Sequence, residues 1–143
     1  MDRSQNQIDM NSLDREWERF TGGPTPTVRD RIHVTMNANG KIYLNANTHR
    51  LLGRPTGVYL YFNRRKDAIA LEPTGPRMPE AFPVCRSSTG FVVHANPFCR
   101  HHGIKYDKTT WFARADINEK GILILNLSSA VTIGTITRGR KRK

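Results

Sequence analysis

Only two of the 143 residues are cysteine, Cys85 and Cys99. Two thiols make no disulfide framework, and a reducing compartment suits such a chain. No apolar run approaches the roughly 18 residues a membrane-crossing helix needs. The opening MDRSQNQIDM has no apolar h-region, so no secretory signal and a cytoplasmic location are expected. Carboxylates are few and scattered, 12 Asp and Glu against 23 Lys and Arg. Paired-carboxylate catalysis and multi-carboxylate magnesium sites are therefore not expected. TGGPTPT, residues 21–27, has neither the lysine nor the strand–helix setting of a phosphate-binding P-loop. G-x-S-x-G and H-E-x-x-H are absent as well. Cys85, His94, Cys99, His101 and His102 are the one metal-like group. Zinc favours paired ligands at short, regular spacing, and Cys99-x-His101 is not such a pair. These residues read as packing side chains, and no metal, cofactor or enzymatic activity is expected.

What the chain does carry is positive charge, +11 net. Residues 1–20 hold three basic side chains (Arg3, Arg15, Arg19) and five acidic ones (Asp2, Asp9, Asp14, Glu16, Glu18), a net of −2, which leaves +13 on the other 123 residues. Such a surplus repels itself in a compact state unless a polyanion relieves it, and nucleic acid is the usual polyanion. Five of the cations, Arg138, Arg140, Lys141, Arg142 and Lys143, stand together in the tail RGRKRK. Runs of this kind neutralise phosphates without reading bases.

The second positive feature is an internal repeat. Residues 40–53 read GKIYLNANTHRLLG and residues 90–103 read GFVVHANPFCRHHG. Without a gap, Gly40 aligns with Gly90, Ile42 with Val92, Arg50 with Arg100 and Gly53 with Gly103. Each stretch is a turn glycine, a short apolar strand, about two helical turns and a closing glycine. Repeats of this length fix an architecture. The chain reads as tandem β-turn-β-α-β-β units, mainly β, with two short helices.

In order, NSLDREWERF at 11–20 predicts an N-terminal helix, with Leu13, Trp17 and Phe20 forming one apolar stripe that needs a docking partner. Residues 1–27 form that helix plus a linker arm. The first unit spans 31–73. RIHVTM alternates with Ile32, Val34 and Met36 inward, NANG turns, and Ile42 and Leu44 continue inward. A helix follows from Asn45 to Gly53. A hairpin then turns through NRRKD at 63–67, and Pro73 ends the unit. The second unit spans 81–127. It turns at SSTG, opens a helix at Asn96-Pro97 with Asn96 as the capping side chain, and closes with strands at 109–115 and 122–127. Its final hairpin is a few residues longer than the first's. An extra strand is expected at 130–137, and 138–143 is the basic tail.

Copy one, GKIYLNANTHRLLGRPTGVYLYFNRRKDAIALEP, resembles the AbrB-like swapped-hairpin DNA-binding domains, which carry G-[RK]-I-x-[IL], a short arginine-bearing helix and L-G before a closing hairpin. The resemblance covers 31–73 well and 81–127 more loosely, and leaves out 1–30 and the tail. It implies two interlocking hairpin units closing a β-barrel across 28–137, within one chain as a pseudo-dimeric monomer or between chains as a homodimer. It also implies DNA contacts at Lys41 and Arg50 in copy one and Arg100 in copy two, with His49 where the family often has another arginine. The chain departs from the pattern at Thr35 and Met36, which are not basic, and at Asn45, where the family has proline. It departs again at Cys99 and at Phe91, which replaces the basic residue after the glycine.

The expected function is non-enzymatic binding of duplex DNA, as a transcriptional regulator or nucleoid-associated factor. The contacts would be Lys41, Arg50, Arg64, Arg65, Lys66, Arg100 and the tail. Tyr59 and Tyr61, on the strand before the 64–66 cations, could stack single-stranded bases. The alternative is a structural or assembly module that keeps the barrel and binds RNA, a ribonucleoprotein or an acidic protein. Leu13, Trp17 and Phe20 would then dock on another chain.

Overall fold

The structure, a computed structural model, describes residues 15–24, 27–75 and 77–133. It is mainly strand. In chain order come β1 (Val34–Met36), β2 (Lys41–Asn45), α1 (Ala46–Leu51), β3 (Gly57–Asn63) and β4 (Ala68–Thr74). The second half holds β5 (Phe82–Pro83), β6 (Cys85–Arg86), β7 (Gly90–His94), α2 (Asn96–His102), β8 (Thr110–Phe112), β9 (Asp116–Ile117), β10 (Leu123–Asn126) and β11 (Ala130–Thr132). Two antiparallel sheets result, ordered β11-β8-β1-β2-β7-β6 and β5-β3-β4-β10-β9. Both are open sheets, not one closed ring. No helix among the described residues is long and apolar enough to cross a membrane.

Period-two alternation builds the core. Val34, Met36, Ile42 and Leu44 from the first sheet and Val58, Ile69, Leu71, Leu123 and Leu125 from the second are at most 1% exposed. Leu52, Phe98 and Cys99 join them from the helices and their ends, so one cluster spans both sheets and both helices. Each fully buried aliphatic side chain contributes about 1.5–3 kcal/mol.

Strands of the two halves pair with one another. β3 of the first pairs with β5 of the second, and β8 of the second pairs with β1 of the first. Two further seams join the halves, β2 with β7 and β4 with β10. At the first seam Ile42 faces Val93 and Leu44 faces Phe91. These two pairs swap when 49, not 50, is added to the first half. The gapless alignment of Ile42 with Val92 is therefore off by one in this strand. An odd shift turns a strand over; Ile42 and Val93 are both fully buried in the core, whereas Val92 lies opposite Tyr43 on the other face. The second hairpin turn is one residue shorter, Arg86 facing Phe91 where Met36 faces Ile42. Ala95, between β7 and α2, restores the offset, so Arg50 and Arg100 again correspond. Phe91 thus occupies the place of Ile42, not that of Lys41. At the second seam Ile69 faces Leu125 and Leu71 faces Leu123, an offset of 54 that accommodates the longer hairpin.

The two turn glycines differ accordingly. Gly40 has φ +78°, a left-handed turn conformation. Gly90 lies in the seam, where an added Cβ would sit 2.3 Å from the Leu44 carbonyl oxygen. Backbone on both sides cannot yield cheaply, so Gly90→Ala is expected to cost about 1–3 kcal/mol, read as a lower urea midpoint.

Other expectations change in detail. The predicted N-terminal helix is not found over 15–20, which is a turn followed by irregular chain; residues 11–14, Leu13 among them, lie outside the described residues. Trp17 and Phe20 are 51% and 79% exposed, so among the described residues nothing covers the stripe to offset the entropy of ordering so short a helix. Pro73 does not end β4, which runs to Thr74, because β10 pairs only with 68–71 and leaves that edge of β4 free there. The α2 cap is Ala95, without a side-chain bond, and Asn96 Nδ2 instead donates to the Asn39 carbonyl at 2.9 Å, tying α2 to the first turn. The 109–115 strand is shorter, 110–112. Of the 130–137 strand, 130–132 is observed, and residues from 134 on, the basic tail included, lie outside the described residues.

Candidate nucleic-acid interface

The best-defined basic site forms around α1. Asn45 organises it. Its Oδ1 caps the helix, accepting from Thr48 N at 2.9 Å and from Thr48 Oγ1 at 2.5 Å. Its Nδ2 donates to the carbonyls of Val28 at 2.7 Å and Arg31 at 2.9 Å. One side chain thus starts the helix and pins the 3-10 turn Val28–Asp30 beside it, which brings in Arg29. Proline in its place could do neither job. Asn45→Ala is expected to cost about 1–2 kcal/mol in thermal unfolding. It also frees 28–31, read as faster amide exchange there.

Arg50 lies in the last turn of α1 and bonds Asn47. Gly53 ends the turn, and Arg54 follows with φ +55°, its N–H donating to the His49 carbonyl at 2.9 Å. From the other half, Arg86 on β6 places its guanidinium 5.5 Å above the Phe91 ring. Phe91 stacks on His49, centroids 3.6 Å apart. Arg29, Arg50, Arg54 and Arg86 therefore converge on one cleft of about 560 Å³, floored by Phe91 and His49, with Asp30 as the one acid among its lining residues. All four arginines are exposed. An exposed fork of guanidinium donors on an aromatic floor is suited to phosphate oxygens.

A related cleft forms around α2. Arg100 and Lys105 line it with Cys99, Ile104 and the first turn, Ala38–Gly40. Ile104 stands where Arg54 does under the helix offset. The duplicated fold thus presents two like clefts, one rich in arginine and one poor.

The structure places the remaining expected contacts elsewhere. Lys41 is half-buried on the outer face of β2, opposite His94, and lines neither cleft. Arg64, Arg65 and Lys66 cap the β3–β4 hairpin, Arg64 lying 5.3 Å from the Phe62 centroid. His49 is in the arginine cleft but as part of its floor, not as an exposed cation: it is 7% exposed, with Nε2 2.9 Å from the Pro55 carbonyl. Leu13 and the tail residues Arg138, Arg140, Lys141, Arg142 and Lys143 lie outside the described residues. Three cleft residues escaped the sequence reading, namely Arg29, Arg54 and Arg86. Arg86 left a signal in the sequence, an arginine two residues after Val84 and four after Phe82, where alternation would put a third apolar residue; it is exposed instead.

The Cys and His group is dispersed. Cys99 is buried, its Sγ 3.9 Å from Met36 Sδ. Burial pushes its thiol pKa up, the reverse of nucleophile activation. His102 packs against Phe62 and Phe98, centroids 5.0 and 4.9 Å away, and burial first, then His101 and Arg64, lowers its pKa. Among the described residues no three His, Cys, Asp or Glu side chains gather as metal ligands.

Comparison of the chain with protein-family models, with curated proteins and with solved structures finds no match.

Proposed function

We propose that this chain is a non-enzymatic DNA-binding protein of AbrB-like, swapped-hairpin kind, a transcriptional regulator or nucleoid-associated factor that grips duplex phosphates. The observation that carries this reading is the convergence of Arg29, Arg50, Arg54 and Arg86 from both halves on one cleft. The pairings β3–β5 and β8–β1 between the halves support an interlocked, barrel-like core within one chain. Arg50 and Arg100, at the same turn of two related helices, support a pseudo-twofold grip, which suits a duplex whose backbone repeats by a twofold axis. The clefts are unequal, so one half dominates the affinity and the other orients the complex. Phosphate contacts fix position; they do not read sequence. The hairpin cations and the tail add longer-range attraction. The test is duplex binding by Arg50→Gln/Arg54→Gln/Arg86→Gln beside the natural chain, and unchanged affinity contradicts the reading.

A second reading, an assembly module, is favoured by one observation, the exposure of Trp17 and Phe20 on the arm. Deleting residues 1–27 separates the two. The assembly reading requires loss of association with folding intact, and the DNA reading requires duplex binding to persist.

A further inference from the structure

On the outer face of the second sheet, Tyr61 of β3, Ala70 of β4 and Ile124 of β10 stand side by side. Ala68 follows on the same face of β4. β3 and β10 flank β4 and lie roughly 10 Å apart, two strand spacings. The two alanines leave the floor low between Tyr61 on one side and Ile124 on the other, and a groove of about 720 Å³ opens there. Tyr61 is 52% exposed, and its hydroxyl donates to Glu72 Oε1 at 2.5 Å, which holds the ring in place. Arg65 and Lys66 close one end, while the Arg64 guanidinium turns over Phe62 on the other face of β3. Asn63 Oδ1 accepts from Lys66 N at 2.9 Å, shaping the tip that carries them.

The geometry points to a second nucleic-acid site, separate from the arginine cleft, that takes an unpaired nucleotide of a single strand. The base lies in the alanine-floored groove against Tyr61, and its phosphates meet Arg65 and Lys66. A planar apolar slot beside two cations matches one nucleotide in size and charge. A base stacked inside a duplex offers no free face for Tyr61, so the site selects single strands. The inference rests on the reading of the chain as a nucleic-acid binder, but uses none of the cleft arginines.

The experiment is fluorescence anisotropy on the full chain with labelled single-stranded DNA, single-stranded RNA of the same sequence and a blunt duplex. Tyr61→Ala is expected to weaken single-strand binding roughly 5- to 150-fold, the stacking of one base converted at about 1.4 kcal/mol per tenfold. Duplex binding stays as it was. Tyr61→Phe keeps the ring and keeps the affinity, whereas Ala70→Leu fills the groove and loses it. A loss on Tyr61→Ala for either strand supports the site and names its sugar. Single-strand affinity unchanged in both Tyr61→Ala and Ala70→Leu overturns the site. If the natural chain binds duplex but no single strand, the site is overturned and the duplex reading stands. If it binds none of the three, both fall.

Discussion

Replacing Arg50, Arg54 and Arg86 together by glutamine lowers duplex affinity roughly 10- to 150-fold at physiological salt. The three guanidinium groups are exposed, so each phosphate contact is screened and contributes only about 0.5–1 kcal/mol. Three such contacts total about 1.5–3 kcal/mol, at 1.4 kcal/mol per tenfold. The salt dependence changes as well. Each neutralised phosphate adds about 0.9 to the slope of log affinity against log salt, so losing three contacts flattens it by roughly 2.7. The fold survives, because the changes are at the surface; the largest structural loss is the Arg86–Phe91 contact, about 0.5–1 kcal/mol. Arg100→Gln alone costs less than tenfold, since its cleft has only Lys105 for company. Titrations at three salt concentrations with one labelled duplex check both affinity and slope. An unchanged slope rules out phosphate contact by these arginines.

Phe112→Ala destabilises the protein by about 3–5 kcal/mol. Phe112 is 1% exposed and meets Tyr106 edge to face at 6.3 Å. It sits on β8, which pairs with β1 of the first half, so its loss opens a cavity where the two halves meet. Domains of this size hold roughly 5–15 kcal/mol in total. A loss of that size lowers the melting temperature by roughly 10–20 °C. Calorimetry measures it. A shift under about 3 °C contradicts the assignment of Phe112 to a shared core. Trp111, the preceding residue, turns to the opposite face and stacks on His33, which is why neighbouring aromatics have different weights.

How far the sequence carried the fold depends on the residue. Alternation in RIHVTM and KIYL predicted the inward faces of β1 and β2, since strand period and burial say the same thing there. The helix bounded by Asn45 and Gly53 was equally plain, because cap and stop are local chemistry. The seam was not. Aligning Gly40 with Gly90 treats both as turn glycines, but Gly90 is glycine because Leu44 of the other half passes close by, a non-local cause. The predicted helix over 11–20 rested on a stripe of three apolar residues, and a stripe forms a helix only against something that buries it. For the site, a helix arginine is visible in sequence. The gathering of Arg29, Arg54 and Arg86 around it depends on strand pairing between the halves and on the two donor bonds from Asn45, which spacing alone does not contain.

The most direct test of the central claim is duplex binding at physiological salt by a chain ending at Thr137, measured beside the same chain carrying Arg50→Gln/Arg54→Gln/Arg86→Gln. The account predicts that the shortened chain still binds duplex and that the triple variant loses that binding. Loss of duplex binding on removing 138–143 alone, with the cleft intact, would contradict it. The charge would then be a generic tether carried by the tail.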